Sequence, residues 1–266
     1  MPEGRMRGAV QHLRTETMTP RILHFERIDS TNLEARRLVE QGERRALWIR
    51  ADEQTGGRGR LGRSWVSEPG NLYATYLFPI SAGVETASQV SFVAALAVHD
   101  LALELLPNVS ARIKWPNDVL INGAKFCGLL AEVVAPQMIA LGCGINVAHA
   151  PAGTPYPVTA LGQHGSLPPL DTIFQELHTK LQIRLKMWDE GRGFARIRDD
   201  WTARAAGLNS ETQATIGDKQ HTGLFRGLAA DGALILELPD TTQHHIHSGE
   251  VRFAAIEAMR NAQEKT

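Results

Sequence analysis

Short apolar runs of strand length alternate with windows of helical periodicity from Arg21 onward, and this alternation implies a mixed α+β or α/β domain built on a sheet. Buried strands are apolar for a few residues, whereas an amphipathic helix repeats its apolar residues every three or four positions. Five runs fit the first pattern and are predicted strands: Ala46–Ala51, Leu72–Phe78, Ala111–Lys114, Lys125–Val134 and Met138–Gly142.

Four windows have helical periodicity. The first begins with Thr31-x-x-Glu34, which we interpret as a capping box, and Gly42 is its predicted stop. The second runs from about Ala87 to Leu106, with its apolar residues on one stripe. Two more carry apolar residues at helical spacing, namely Ile173, Leu177, Leu181 and Leu185, and then Phe194, Ile197 and Trp201. These stripes, with Trp48 and Trp188, are predicted to face the core.

Changes in composition predict the domains. Residues 151–169 are rich in proline and glycine and are predicted to form a long surface connection. After about Asn209, short strands are separated by turn residues, including the hairpin signal Asp231-Gly232. We therefore predict a disordered leader at 1–20, a main domain at 21–208 and a small β-barrel at 209–260, which is small enough to depend on docking for its stability.

Charge and cysteine content narrow the classes of function. A net charge of −1 gives no overall attraction to nucleic acid, so an anion site must be local. Cys127 and Cys143 lack C-x-x-C spacing, which argues against a zinc site or a disulfide framework and favours a cytoplasmic location. The start of the chain does not resemble a signal peptide, and we expect no segment with the ~18 apolar residues of a membrane span.

The segment Asp52–Trp65 carries the densest chemical signal, because four glycines alternate there with three arginines. Glycine lets backbone amides approach a ligand closely, and arginine adds a planar set of donors suited to phosphate or carboxylate. The segment lacks the Gly-Lys-Ser/Thr ending of a Walker A motif and does not match G-x-G-x-x-G. We therefore predict another kind of anion site. An RGG-like nucleic-acid segment is the alternative that composition leaves open.

Three further segments place polar or glycine residues at strand ends. Lys114-Trp115-Pro116-Asn117-Asp118 follows one apolar run, Lys125 begins another, and Gly142-x-Gly144 ends a third. Each feature alone also fits an ordinary turn, a solvated lysine or close backbone packing. Their combination with the cationic loop in one domain favours a functional site.

The order of these motifs resembles that of biotin protein ligases over about residues 21–255. The matching segments are Asp29–Asn32, Glu53–Trp65, Lys114–Asp118, Lys125-x-x-Gly128 and Gly142–Asn146. The resemblance implies a mixed sheet flanked by helices, related to class II aminoacyl-tRNA synthetases, followed by a small SH3-like barrel. Some family members carry an N-terminal winged helix-turn-helix domain. Only about 20 residues precede the region of resemblance, so we expect none.

The resemblance also implies roles for single residues. Contacts to biotin or its adenylate are implied for Ser30, Thr31, Asn32, Gln54, Arg58, Gly59, Arg60 and Lys125. Gly128 would line the same pocket, to which we also assign Gly57, Arg63 and Gly144. The nucleotide would lie near Trp65, Asn117 and Asn146. Leu61 stands where some relatives carry another cation.

The implied reaction brings the biotin carboxylate to the α-phosphate of ATP, so two anions must meet. Arg58, Arg60 and Lys125 are predicted to offset their repulsion, Lys114 to lie near the phosphates, and Mg²⁺ to neutralise the departing pyrophosphate. Asp118 is predicted to orient or deprotonate the acceptor lysine, with turn capping as its alternative role. We also predict that residues 54–65 become ordered over the ligand, which biotin plus ATP would reveal as protease protection.

The implied acceptor is the biotin carboxyl carrier protein of a biotin-dependent carboxylase. Neither nucleic acid nor a membrane is expected as a partner, and a homodimer stays open. The alternatives are a lipoate or octanoate attachment enzyme of the same superfamily and a non-catalytic biotin sensor. His244, His245 and His247 have metal-like spacing, but no cysteine or carboxylate cluster completes a site, so we expect no metal held by the protein.

Overall fold

A computed structural model describes residues 21–216, 219–247 and 249–253. The predicted leader at 1–20 and the last residues of the predicted small domain, 254–260, lie outside the described residues. Two β-sheets and four α-helices make up the described part of the chain.

Seven strands form the main sheet, in the order β1-β2-β3-β7-β6-β5-β4. Strands β1 and β2 are parallel, and all other neighbours are antiparallel. The strands are β1 Ile22–Ile28, β2 Leu47–Gln54, β3 Leu72–Pro79, β4 Ala111–Lys114, β5 Asp118–Ile121, β6 Ala124–Ala135 and β7 Met138–Ile145. All five predicted strands are confirmed. The almost wholly buried strands β3 and β7 lie side by side at the centre, where both faces of the sheet are covered.

The predicted helices are confirmed as α1 Thr31–Glu40, α2 Val90–Leu105, α3 Leu170–Trp188 and α4 Phe194–Ala203. The predicted capping box is wrong, because Ser30 is the N-cap residue and makes no side-chain cap bond. The Thr31 hydroxyl donates to Gln54 Oε1 instead, and Glu34 pairs with Arg37. Gly42 lies just beyond the helix at φ 96°, a conformation that favours glycine after a helix end.

Helix α2 is the central helix of the core, where it packs against α3, α4 and the main sheet. The helical segment Thr86–Leu105 has 20 residues and a mean hydropathy of 1.3, so it is long and apolar enough to cross a membrane. The expectation that no segment has the length and apolar composition of a membrane span is therefore wrong. However, 67% of its most apolar window is buried inside the protein, which is the environment of a core helix.

The second sheet has five antiparallel strands in the order β11-β10-β9-β8-β12. They are β8 Glu211–Ile216, β9 Lys219–Leu228, β10 Leu234–Glu237, β11 Gln243–Ile246 and β12 Glu250–Phe253. The predicted hairpin at Asp231-Gly232 joins β9 to β10, which pair antiparallel. The Phe225 ring of β9 lies 6.5 Å from the Trp201 ring of α4, and one hydrophobic cluster contains residues of both sheets. The two sheets therefore share a core.

Candidate active site

Most of the predicted site residues converge on one pocket above the glycine-containing strands of the main sheet. The start of α1, the glycine–arginine loop (residues 54–65), the β4–β5 turn and strands β6 and β7 form its walls. The predicted residues that line it are Ser30, Thr31, Asn32, Gln54, Arg58, Gly59, Arg60, Arg63, Trp65, Lys114, Asn117, Asp118, Lys125, Gly128 and Gly144.

Two predicted residues, Gly57 and Asn146, do not line this pocket. A Cβ atom on Gly57 would lie 2.4 Å from the Trp65 carbonyl oxygen and 2.6 Å from Ser67 Oγ, so this position excludes any larger residue. The Asn146 side chain is buried, and its Nδ2 donates to the Thr159 carbonyl at 3.1 Å. Both residues hold the surrounding backbone in place, and their ligand contacts stay predictions.

A buried polar network orders the start of α1. Gln54 Oε1 accepts from the Thr31 backbone N–H at 2.8 Å and from the Thr31 hydroxyl at 3.1 Å. On strand β3, Thr75 Oγ1 lies 2.8 Å from Thr31 Oγ1 and 2.6 Å from Asn32 Oδ1. Because their hydrogen bonds are satisfied inside the protein, these polar groups are fixed in place before a ligand arrives.

The two predicted catalytic arginines contact different groups. Arg58 Nη2 donates to Glu132 Oε1 at 2.8 Å, in an ion pair that is partly exposed. Arg60 is more deeply enclosed, and its Nη1 lies 3.5 Å from the Asn117 amide oxygen. Burial is the main cause that lowers the pKa of the Arg60 guanidinium from its usual value, the Asp118 carboxylate acts in the opposite direction, and Arg63 lowers the pKa further. Because its ordinary pKa is so high, Arg60 remains a cation at neutral pH.

Lys125 is held by an acid and two aromatic rings. Its Nζ lies 2.7 Å from Asp118 Oδ1, and only 13% of the lysine side chain is exposed. The same ammonium lies 5.2 Å from the centre of the Trp65 ring and 5.5 Å from the centre of the Tyr156 ring, within range of cation–π attraction. The solvated strand-end lysine that the sequence left as an alternative is therefore wrong for Lys125.

Two glycines form a flat shelf at the base of the pocket. Gly128 of β6 and Gly144 of β7 are direct cross-strand partners, and the indole of Trp65 lies on them. A Cβ atom would approach the indole to 2.8 Å at Gly128 and to 2.5 Å at Gly144. The indole N–H is buried and makes no hydrogen bond within the described residues. The Trp65 indole can therefore pack against this part of the sheet only because Gly128 and Gly144 lack side chains.

Comparison with known proteins assigns this arrangement to a family. Residues 24–146 match the Biotin/lipoate A/B protein ligase family, and residues 207–253 match the Biotin protein ligase C terminal domain. A biotin–[acetyl-CoA-carboxylase] ligase of Paracoccus denitrificans is 40% identical over 225 residues, which are 80% of this chain and 92% of that protein. The chain belongs to the biotin protein ligase family.

Two further relatives of this ligase agree with that assignment. The bifunctional ligase/repressor BirA of Bacillus subtilis is 29% identical over 85% of this chain and 72% of its own length. The solved biotin protein ligase of Aquifex aeolicus, in complex with biotin and ATP, superposes with a TM-score of 0.76 at 24% identity. That alignment covers 88% of this chain and 99% of the Aquifex protein, so both sheets belong to the fold of biotin protein ligases.

Sequence reasoning missed two residues that shape the site of this ligase. Glu132 pairs with Arg58, and Tyr156 lies against Lys125. Tyr156 belongs to the predicted surface connection 151–169, which the structure instead ties to β6 through the Lys125 N–H and the Pro157 carbonyl at 2.9 Å. A bulky aromatic residue among prolines was the available signal for Tyr156, whereas nothing distinguished Glu132 from an ordinary exposed strand residue.

Proposed function

We propose that this ligase joins biotin to ATP, forming biotinyl-5′-AMP and pyrophosphate, and then transfers the biotinyl group to one lysine of a biotin carboxyl carrier protein. The observation that carries the proposal is that cations from the glycine–arginine loop, from β4 and from β6 line one pocket. A pocket with these walls can bring two anionic reactants together. The match to the Biotin protein ligase C terminal domain favours biotin over lipoate or octanoate as the acid.

The first step requires that repulsion between carboxylate and phosphate be offset. Two unit charges about 4 Å apart interact by roughly 4 kcal/mol at an effective dielectric constant near 20. Arg60 and Lys125 are enclosed by protein and therefore act with little reorganisation, as preorganised charge requires. In this proposal, Lys125 binds the biotin carboxylate, Arg58 contacts the biotin moiety, and Arg60 binds the phosphate oxygens. The carboxylate oxygen then attacks the α-phosphorus, and pyrophosphate leaves.

The second step requires a neutral amine, because an ammonium group is not a nucleophile. Asp118 is the carboxylate of the pocket that pairs with Lys125, and it lines the pocket itself. We assign it the role of accepting a proton from the incoming lysine. The amine then attacks the acyl carbon, an amide bond forms, and AMP leaves.

Mg²⁺ belongs to this proposal as part of the MgATP substrate. The described residues contain no group of three or more histidine, cysteine, aspartate or glutamate side chains that could hold a metal ion. Such a pocket fits a cation whose ligands are mainly phosphate oxygens and water, as is usual for Mg²⁺. We also infer that the enzyme works in the cytoplasm, in keeping with the free cysteines Cys127 and Cys143, and a homodimer is the oligomeric state to be tested.

The direct test is incubation of the purified protein with biotin, MgATP and a carrier domain, followed by mass spectrometry. We expect a single biotinyl adduct on one lysine, and pyrophosphate release when the carrier is left out. Lipoate and octanoate serve as competing acids in parallel reactions. Labelling by either of them in preference to biotin would overturn the proposal. Size-exclusion chromatography with light scattering tests the dimer.

A further inference from the structure

We propose that Glu132 is a positioning residue that fixes Arg58 relative to Asn32 before any ligand binds. The proposal rests on the proposed function only for the identity of the ligand. Glu132 does not line the pocket itself. It lies on β6, where it is the cross-strand partner of Ala140 on β7, so its backbone is part of the main sheet.

Both carboxylate oxygens of Glu132 are occupied by predicted biotin contacts from distant parts of the chain. Oε1 accepts from Arg58 Nη2 at 2.8 Å, and Oε2 accepts from Asn32 Nδ2 at 2.7 Å. Asn32 Nδ2 also donates to the Leu130 carbonyl at 3.3 Å, which fixes the amide to the same strand. One carboxylate therefore ties the glycine–arginine loop and the start of α1 to a single position on the sheet.

The contact of Glu132 with Arg58 has a physical purpose because the glycines give the loop backbone much conformational freedom to lose. Arg58 stands between Gly57 and Gly59, and a long arginine side chain loses much rotamer freedom when it is held in one place. Glu132 already restricts the rotamers of Arg58 in the folded protein, so ligand binding does not carry that entropic cost. A bridge between Arg58 and Ser64 and the hydrogen bond from the Gly59 N–H to the Arg63 carbonyl extend the order along the loop.

The charge of Glu132 also needs an explanation in a site for anions. A carboxylate close to an anionic ligand weakens binding unless its charge is neutralised. Here Arg58 neutralises it, and the side chain of Glu132 is only 20% exposed. Glu132 reduces the attraction of the pocket for an anion, yet it holds Arg58 and Asn32 in place. This combination indicates that Glu132 positions other residues and does not contact the ligand itself.

Limited trypsin digestion without ligands tests the tether independently of the enzyme's substrate. In Glu132→Gln, we expect cleavage after Arg60 and Arg63 to be roughly three- to fivefold faster than in the wild type, in keeping with a partly exposed ion pair. In an Arg58→Ala background, the same substitution should add no further cleavage, because Glu132 acts on the loop through Arg58. Similar cleavage rates in wild type and Glu132→Gln would overturn the proposal.

Binding measurements then separate positioning from general destabilisation. We expect Glu132→Gln to raise the Kd for biotin roughly three- to fivefold while the Kd for ATP stays within about twofold. Glu237→Gln is the matched control, since its 2.7 Å pair with Arg226 on the second sheet has similar exposure and lies outside the pocket. An equal loss of biotin and ATP binding, or the same effect in Glu237→Gln, would contradict the proposal. If the wild type binds no biotin, the proposed function fails and the digestion alone decides the role of Glu132.

Discussion

The cations of the pocket differ in how their charge is held before a ligand binds. Arg58 and Lys125 each contact a carboxylate, at Glu132 and Asp118. Arg60 contacts the neutral amide of Asn117, and its burial lowers the pKa of the guanidinium. A desolvated cation that is hydrogen-bonded to a neutral group gains more from an arriving anion than a cation in a direct ion pair does, and the Asp118 carboxylate offsets only part of the desolvation of Arg60.

Arg60 should therefore contribute strongly to the first step. We expect Arg60→Ala to slow biotin-dependent pyrophosphate release about 10²- to 10³-fold, the effect of removing one preorganised donor from a developing charge. Arg27→Ala is the control, because Arg27 is an exposed arginine paired with Glu53 on the sheet edge. A rate for Arg60→Ala close to that of Arg27→Ala would remove Arg60 from the catalytic machinery.

Asp118 should affect the two steps unequally. We expect Asp118→Ala to slow transfer from preformed biotinyl-5′-AMP to the carrier by about 10²-fold, which is the lower end for loss of a general base. Formation of the adenylate should change less, since Lys125 keeps its two aromatic contacts. Single-turnover transfer, followed by mass spectrometry, measures the difference. If the variant transferred biotin at the full rate, Asp118 would have only a structural role at the β4–β5 turn.

At the scale of elements, long apolar patterns were predictable, whereas of the two four-residue strands in the main sheet β4 was predicted and β5 was not. Strands β3, β6 and β7 are apolar runs, whereas β1 mixes charged with apolar residues and β5 has only four residues. The pocket was predictable as a set of motifs, because the order of the motifs resembles that of biotin protein ligases. The contacts of Glu132 were not, since they join positions 74 and 100 residues apart in the sequence.

The glycine–arginine loop offers an element-scale prediction with a neighbouring control. We expect Gly57→Ala to raise the Kd for biotin roughly tenfold or more, because its Cβ would meet backbone and Ser67 and displace the loop, at a typical overpacking cost of about 1–3 kcal/mol. Gly56→Ala should bind nearly normally, since its Cβ would come no nearer than 3.4 Å to the Asp29 carbonyl. Calorimetry compares the two variants. Equal affinities would show that the loop adapts to the added atom.

At the scale of the whole molecule, the change from long elements to short strands separated by turns was visible in the sequence. The packing of the second sheet against the main domain was not. It depends on aromatic residues that lie far apart along the chain. Rings of Phe92, Phe194, Trp201 and Phe225 contact one another with centroids 5.6–6.5 Å apart, and the Trp115 indole donates to the Gly232 carbonyl at 3.3 Å. Trp115 lies in the same turn as Asn117 and Asp118, so the docked sheet supports one wall of the pocket.

Because the two sheets share one core, the protein should unfold in a single cooperative transition, and Phe225→Ala should destabilise all of it. Phe225 is fully buried, and removal of such a ring costs about 3–5 kcal/mol. Urea unfolding, followed by tryptophan fluorescence and by far-ultraviolet circular dichroism, measures the effect. Ile183→Ala is the control, since Ile183 is 53% exposed and should change the free energy of unfolding by less than about 1 kcal/mol. Two separate transitions in the wild type, or a stability of Phe225→Ala equal to that of Ile183→Ala, would mean that the second sheet folds independently of the site that it supports.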